Sequence, residues 1–198
     1  MTRIATLFLA AAALAACARG NDADSDRNQN TTTDTAGGAV TATPLPTQMN
    51  DANIVAVLDA ANASDSASGQ LASTKGTSSE VRNYGKMMVG EHHLLREQGQ
   101  ALAKKENITP MAPTGDPTQS KGEQSLKMLQ DMQKGAAWDK MYIDNEVQVH
   151  EQVLQTAKQA HDQAQNAELK ALIEKAQPVI EKHLERAREI QKNLTPST

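Results

Sequence analysis

Aromatic residues are almost missing from this chain. One Trp, one Phe and two Tyr among 198 residues leave aromatics at 2 %. A β-sandwich or barrel draws heavily on aromatic and β-branched side chains, so the shortage argues against an all-β fold. Cysteine is scarcer still, with Cys17 alone. A single thiol excludes a disulfide framework and any Cys-rich zinc or iron–sulfur site. Surplus positive charge is also lacking: 20 basic and 24 acidic residues give a net charge of −4. That balance carries no basic footprint for nucleic acid, and none is expected as a partner. No glycine-rich phosphate loop and no Gly-x-Ser-x-Gly elbow occurs, which removes two common routes to catalysis.

What is present begins with an address. Arg3 precedes an uncharged apolar run from Ile4 to Ala16. The run is shorter than the ~20 residues a bilayer-spanning helix needs, and it fits the core of a signal peptide. Leu14-Ala15-Ala16-Cys17 resembles a bacterial lipobox, in which small residues precede a cysteine that is lipidated after cleavage. The reading is a lipoprotein signal peptide over 1–16 and a lipidated N-terminus at Cys17. Several acyl chains hold a protein durably where one does not. The expected location is therefore the periplasm or cell envelope, anchored to the outer membrane. Residues up to 49 are rich in Asn, Asp, Thr, Gly and Pro and read as a disordered linker completing 17–49.

From residue 50 to 198 the pattern changes to helical periodicity. Helices are expected over roughly 50–74, 78–106, 136–163 and 167–194, with a short one near 119–134. Gly76 is the expected C-terminal cap of the first, Thr77 with Glu80 a capping box for the second, and Asn166 the N-cap of the last. Pro110, Pro113 and Pro117 keep the middle connection out of regular helix. Pro178 sits inside the last helix. Two short turns and one long connection predict an all-α, up-down four-helix bundle. The short extra helix is expected across one end, and both hairpin turns are expected at the same end as each other.

Polar residues interrupt the apolar stripes. His92, His150 and His183 fall on the inward stripes of three different helices, with Asp65, Asp139 and Glu146. At ~1.5 Å rise per residue, His92 lies about 24 Å from the first turn, and His150 and His183 about 22 and 28 Å from the second. Asp59 and Asn62 are at that level on the first helix. Inward charges are costly unless they are paired or bind a metal. Three imidazoles with nearby carboxylates suit zinc, iron or manganese. The candidate metal set is His92, His150, His183, Glu146, Asp65 and Glu91. The competing reading is a hydrogen-bonded structural network, with Asp139, Tyr142, Tyr84 and Pro178 as structural core residues. His93 and His161 fall off the stripes. Met87, Met88, Met128, Met132 and Met141 read as core filler in preference to a copper site.

Ser68-Gly69-Gln70-Leu71-Ala72, Val81-Arg82-Asn83-Tyr84 with Met88-Val89-Gly90-Glu91-His92, Trp138-Asp139-Lys140-Met141-Tyr142 with His150, and Pro178 with His183-Leu184 form an ordered set. Together they make residues 50–194 resemble the bacterial envelope family called domain of unknown function 4142. The resemblance implies a ferritin-like bundle, and it implies no agreed activity. Di-iron members of the ferritin-like superfamily use Glu-x-x-His pairs. No Glu-x-x-His occurs here, and Asp65 stands where the family commonly carries Glu. The expected function is a membrane-tethered envelope lipoprotein, non-enzymatic, linked to envelope stress; the alternative is a metal-binding bundle with a storage, buffering or redox role. Partners are the membrane through the lipid anchor, and a second copy or an envelope protein on an outer helix face.

Overall fold

The computed structural model describes residues 48–194, and their regular structure is entirely helical. Five helices follow one another: α1 (Asp51–Lys75), α2 (Ser79–Lys105), α3 (Thr118–Asp131), α4 (Ala136–Gln163) and α5 (Ala167–Leu194). None is long and apolar enough to cross a membrane. The signal segment, Cys17 and nearly all of the linker lie outside the described residues.

Side chains fix where the helices begin. Asn50 and Asn53 form a capping box on α1, exchanging backbone N–H bonds of 2.9 and 3.2 Å. Asn166 accepts the N–H groups of Glu168 and Leu169, both at 2.9 Å, and so caps α5 as expected. At α2 the cap is Ser78, not Thr77: its Oγ accepts the Glu80 N–H at 3.1 Å. The Thr77 and Ser78 N–H groups turn instead to the buried Asp139 carboxylate, at 2.8 and 2.6 Å. Asp51 plays the same part for the other hairpin, accepting from Gln165 and Asn166 at 2.8 and 3.0 Å.

These two aspartates correct the expected up-down order. Asp139 opens α4 and binds the α1–α2 turn, whereas Asp51 opens α1 and binds the α4–α5 turn. The two hairpin turns therefore lie at opposite ends. The core divides the same way. Ala72, Val81, Tyr84, Trp138, Tyr142 and Ile190 cluster at one end; Ile54, Ala103, Ala160, Leu169 and Ile173 cluster at the other. Helix α2 thus runs parallel to α4, and α1 parallel to α5. Residues 106–135 must cross the length of the bundle, and α3 is part of that crossing.

Consequently α3 does not lie across one end. It runs along α1, where a Cβ on Gly122 would come within 2.5 Å of Ser64 Oγ. Lys75 Nζ donates to the Leu129 and Gln130 carbonyls, each at 2.8 Å, and Trp138 Nε1 donates to Leu129 at 2.7 Å. These bonds occupy the carbonyls that the end of α3 leaves free. Trp138 stacks on Tyr142 with ring centroids 5.5 Å apart.

Helices α1 and α2 come into close backbone contact where both carry glycine. A Cβ on Gly85 would lie 2.6 Å from the Gly69 carbonyl oxygen, and one on Gly69 would lie 2.7 Å from Met88 Cβ. Met49, assigned to the linker by composition, is buried, and its N–H donates to Gln163 Oε1 at 2.6 Å. Pro178 is not a core residue: α5 runs on through it and its side chain is exposed. At 100° per residue it falls opposite Ile173 and Ile180, so it faces outward.

Candidate metal centre

Between the two apolar clusters lies a polar layer. His92 from α2, His150 from α4 and His183 from α5 are each at most 1 % exposed. Their ring centroids are 5.6, 5.1 and 5.4 Å apart. One nitrogen of each ring lies within 4.8 Å of the corresponding nitrogen of the others. The sequence placed these residues at one level although it set both turns at one end. The level survives because each histidine lies near the middle of its helix, so counting from either end gives a similar depth.

Each imidazole uses its second nitrogen on an acceptor. His150 Nδ1 donates to the Glu146 backbone carbonyl at 2.9 Å. His183 Nε2 donates to Glu91 Oε2 at 2.8 Å. His92 Nδ1 pairs with Asn62 Oδ1 at 2.7 Å. The Asn62 amide is oriented by its own bond to the Leu58 carbonyl, at 2.7 Å, which leaves Oδ1 for the histidine. Acceptors of this kind fix the tautomer. His92 Nε2, His150 Nε2 and His183 Nδ1 then carry lone pairs, and those three atoms are buried without a hydrogen-bond partner.

Burial holds the rings neutral. It pushes His92 down to about 2, helped by the neighbouring His150 and His183. His150 falls to about 4, again chiefly through burial, against its backbone hydrogen bond. Burial also lowers His183, while Glu91 pulls the other way. Three neutral imidazoles facing one another with bare nitrogens make an expensive arrangement in protein alone. Zinc–imidazole bonds of 2.0–2.1 Å at tetrahedral angles put ligand nitrogens ~3.4 Å apart. A shared ion would therefore draw the rings together by about an ångström.

Among the described residues, no carboxylate joins these nitrogens. Asp65 Oδ2 lies 3.8 Å from His92 Nδ1, and Glu146 Oε2 lies 3.5 Å from His150 Nδ1. With Glu91, they address the nitrogens that face away from the cluster. Asp65 and Glu146 are both buried, and burial raises both carboxyls; the Asp65 charge raises Glu146 further. Ser68 Oγ hydrogen-bonds Glu146 Oε1 at 2.9 Å. Tyr84 donates to the His183 backbone carbonyl at 3.3 Å and meets Tyr142 edge-on. Asp59 is drawn to Arg96 instead, at 3.1 Å on both sides of a bidentate pair. His93 and His161 lie outside the cluster, paired with Glu97 and Asp162. Ser68 and the Glu146 carbonyl were missed by sequence reasoning. The four-residue spacings Leu58–Asn62 and Glu146–His150 carried a local hint of the network.

Fold and site together define a helical-bundle protein with an enclosed cluster of three histidines. The chain belongs to the family described as a domain of unknown function, DUF4142, whose family model matches residues 36–190. No curated protein and no solved structure matches it.

Proposed function

We propose that the chain binds one divalent first-row transition metal through His92, His150 and His183. The observation that carries this reading is the set of three buried, unpartnered ring nitrogens, each made a lone-pair donor by the acceptor on its far side. A purely structural network would be expected to satisfy those atoms. An all-imidazole set favours zinc or iron over manganese, which prefers oxygen ligands. Zinc comes first, because three histidines with a fourth position left over is a familiar zinc arrangement.

The bundle reads as ferritin-like, supported by the single long crossing between α2 and α4. The missing Glu-x-x-His pairs separate it from di-iron carboxylate chemistry. Metal storage or buffering suits three buried histidines better than turnover of a large substrate. The lipobox-like Leu14-Ala15-Ala16-Cys17 supports an envelope protein tethered by acyl chains at Cys17. Metal content tests the binding: protein loaded with zinc, iron or manganese and then desalted retains one ion per chain, and His150→Ala retains none. Chains that stay metal-free with every ion would refute it. Loss of labelled palmitate in Cys17→Ser tests the tether.

A further inference from the structure

Next to the histidine layer the bundle leaves space. A cavity of about 60 Å³ is lined by Asn62, Leu95, Gly99, Val153, Ala176 and Ile180, among others. Asn62 is the residue that holds His92. Leu95 and Val153 follow His92 and His150 by three residues, and Ile180 precedes His183 by three. Because α2 runs parallel to α4 and α1 parallel to α5, each of these steps leads toward the same end of the bundle. The cavity is thus the layer immediately beside the imidazoles, one turn away on every helix.

Small side chains keep it open. Gly99 stands on the inward stripe of α2, and a Cβ built there would meet no heavy atom within 4 Å. Ala157 and Ala176 face the same space. At Gly69 and Gly85 a Cβ has no room, whereas at Gly90, Gly99 and Gly135 it would meet nothing; of these three, Gly99 lines the cavity. Glycine inside a helix costs about 1 kcal/mol relative to alanine, and nothing that packs on Gly99 demands it. The lining is mostly apolar, and the Asp59–Arg96 pair borders it, each side chain 33 % exposed. A single water needs about 10–15 Å³ by this measure, whereas a cavity that takes benzene is nearer 150 Å³.

We infer that this chamber is a ligand site of the metal centre, taking a neutral apolar molecule of about two or three heavy atoms, and that Gly99 keeps it open. The inference rests on the metal reading for its role, and on the cavity alone for its existence. The two separate experimentally.

Xenon serves as the probe, on the full chain loaded with zinc or with paramagnetic cobalt(II). Xenon is expected to shift the methyl resonances of Leu95, Val153 and Ile180. The bound gas should relax several-fold faster in the cobalt form than in the zinc form. Gly99→Leu should lose the xenon shifts while still binding one metal. Unmoved methyls in metal-loaded protein would remove the chamber and leave the metal site standing. Equal relaxation in the two forms would show a cavity that has nothing to do with the metal. Xenon shifts in a chain that takes up no metal would overturn the metal reading and the ligand role with it.

Discussion

His92 and His183, on helices α2 and α5, set their ring centroids 5.1 Å apart. One nitrogen of each is committed, to Asn62 and to Glu91, and the other is buried without a partner. Two neutral imidazoles so placed gain nothing from each other. With His150 they gain a great deal from a cation.

Metal binding should therefore stabilise the fold. Zinc held at 100 times its dissociation constant adds about 2.7 kcal/mol by mass action. For a chain of this size that is a rise in Tm of about 5–10 °C. Calorimetry with and without zinc checks it, and His92→Ala should show no rise.

The buried carboxyl of Asp65 predicts a pH-dependent substitution effect. Its folded value is raised from the usual 3.8 to about 7, so it stabilises the metal-free fold below pH 3.8 and loses that contribution as pH climbs through 7. Asp65→Asn keeps the shape without the charge. In metal-free protein it should stabilise at pH 8 and do so clearly less at pH 5, where only part of the contribution is lost. Denaturant titrations at the two pH values decide it; an equal effect at both would contradict the assignment.

The histidines act in the opposite sense. Their folded values lie below 6.5, with His150 at about 4 and His92 at about 2. Their contribution is complete above pH 6.5 and is lost as pH falls toward those values. In the Asp65→Asn variant, where the opposing carboxyl is gone, stability should fall more steeply between pH 6.5 and 4 than in the unsubstituted chain. Urea midpoints across that range measure the slope.

Two substitutions test the frame that holds the layer. Gly85→Val forces a side chain into a space where even Cβ would be 2.6 Å from the Gly69 carbonyl oxygen, and should cost about 1–3 kcal/mol. Asp139→Ala strips the acceptor from the Thr77 and Ser78 N–H groups, and should cost about 2 kcal/mol. Thermal unfolding reads both, and a change under 0.5 kcal/mol, the ~0.5 kcal/mol scale of an ordinary surface substitution, would contradict either.

Much of this was legible in the residues. The apolar spacing from Leu169 to Leu194 and the flanking Asn166 fix α5, and Gly135 with the run to Gln163 fixes α4, because local periodicity and caps decide helix ends. The inward placement of His92, His150 and His183 follows from the same periodicity. Helix order did not follow, since nothing local says whether residues 106–135 return along the bundle or turn back at once. Pro178 reads as a disruption in one dimension, yet on the outer face of α5 it disturbs no core contact. The roles of Glu91, Asp65 and Glu146 depend on which nitrogen of each ring they meet, and that is a matter of rotamers across helices. Sequence spacing puts Gly99 on the stripe of His92 and Leu95, but only its surroundings show that a Cβ there would meet no heavy atom within 4 Å.

The most direct measurement is X-ray absorption at the zinc edge of the zinc-loaded chain. Three imidazole nitrogens at about 2.0–2.1 Å, with the ring scattering that marks histidine, are the predicted result. A shell of oxygen alone, or an unchanged histidine signal in His92→Ala, His150→Ala and His183→Ala, would contradict it.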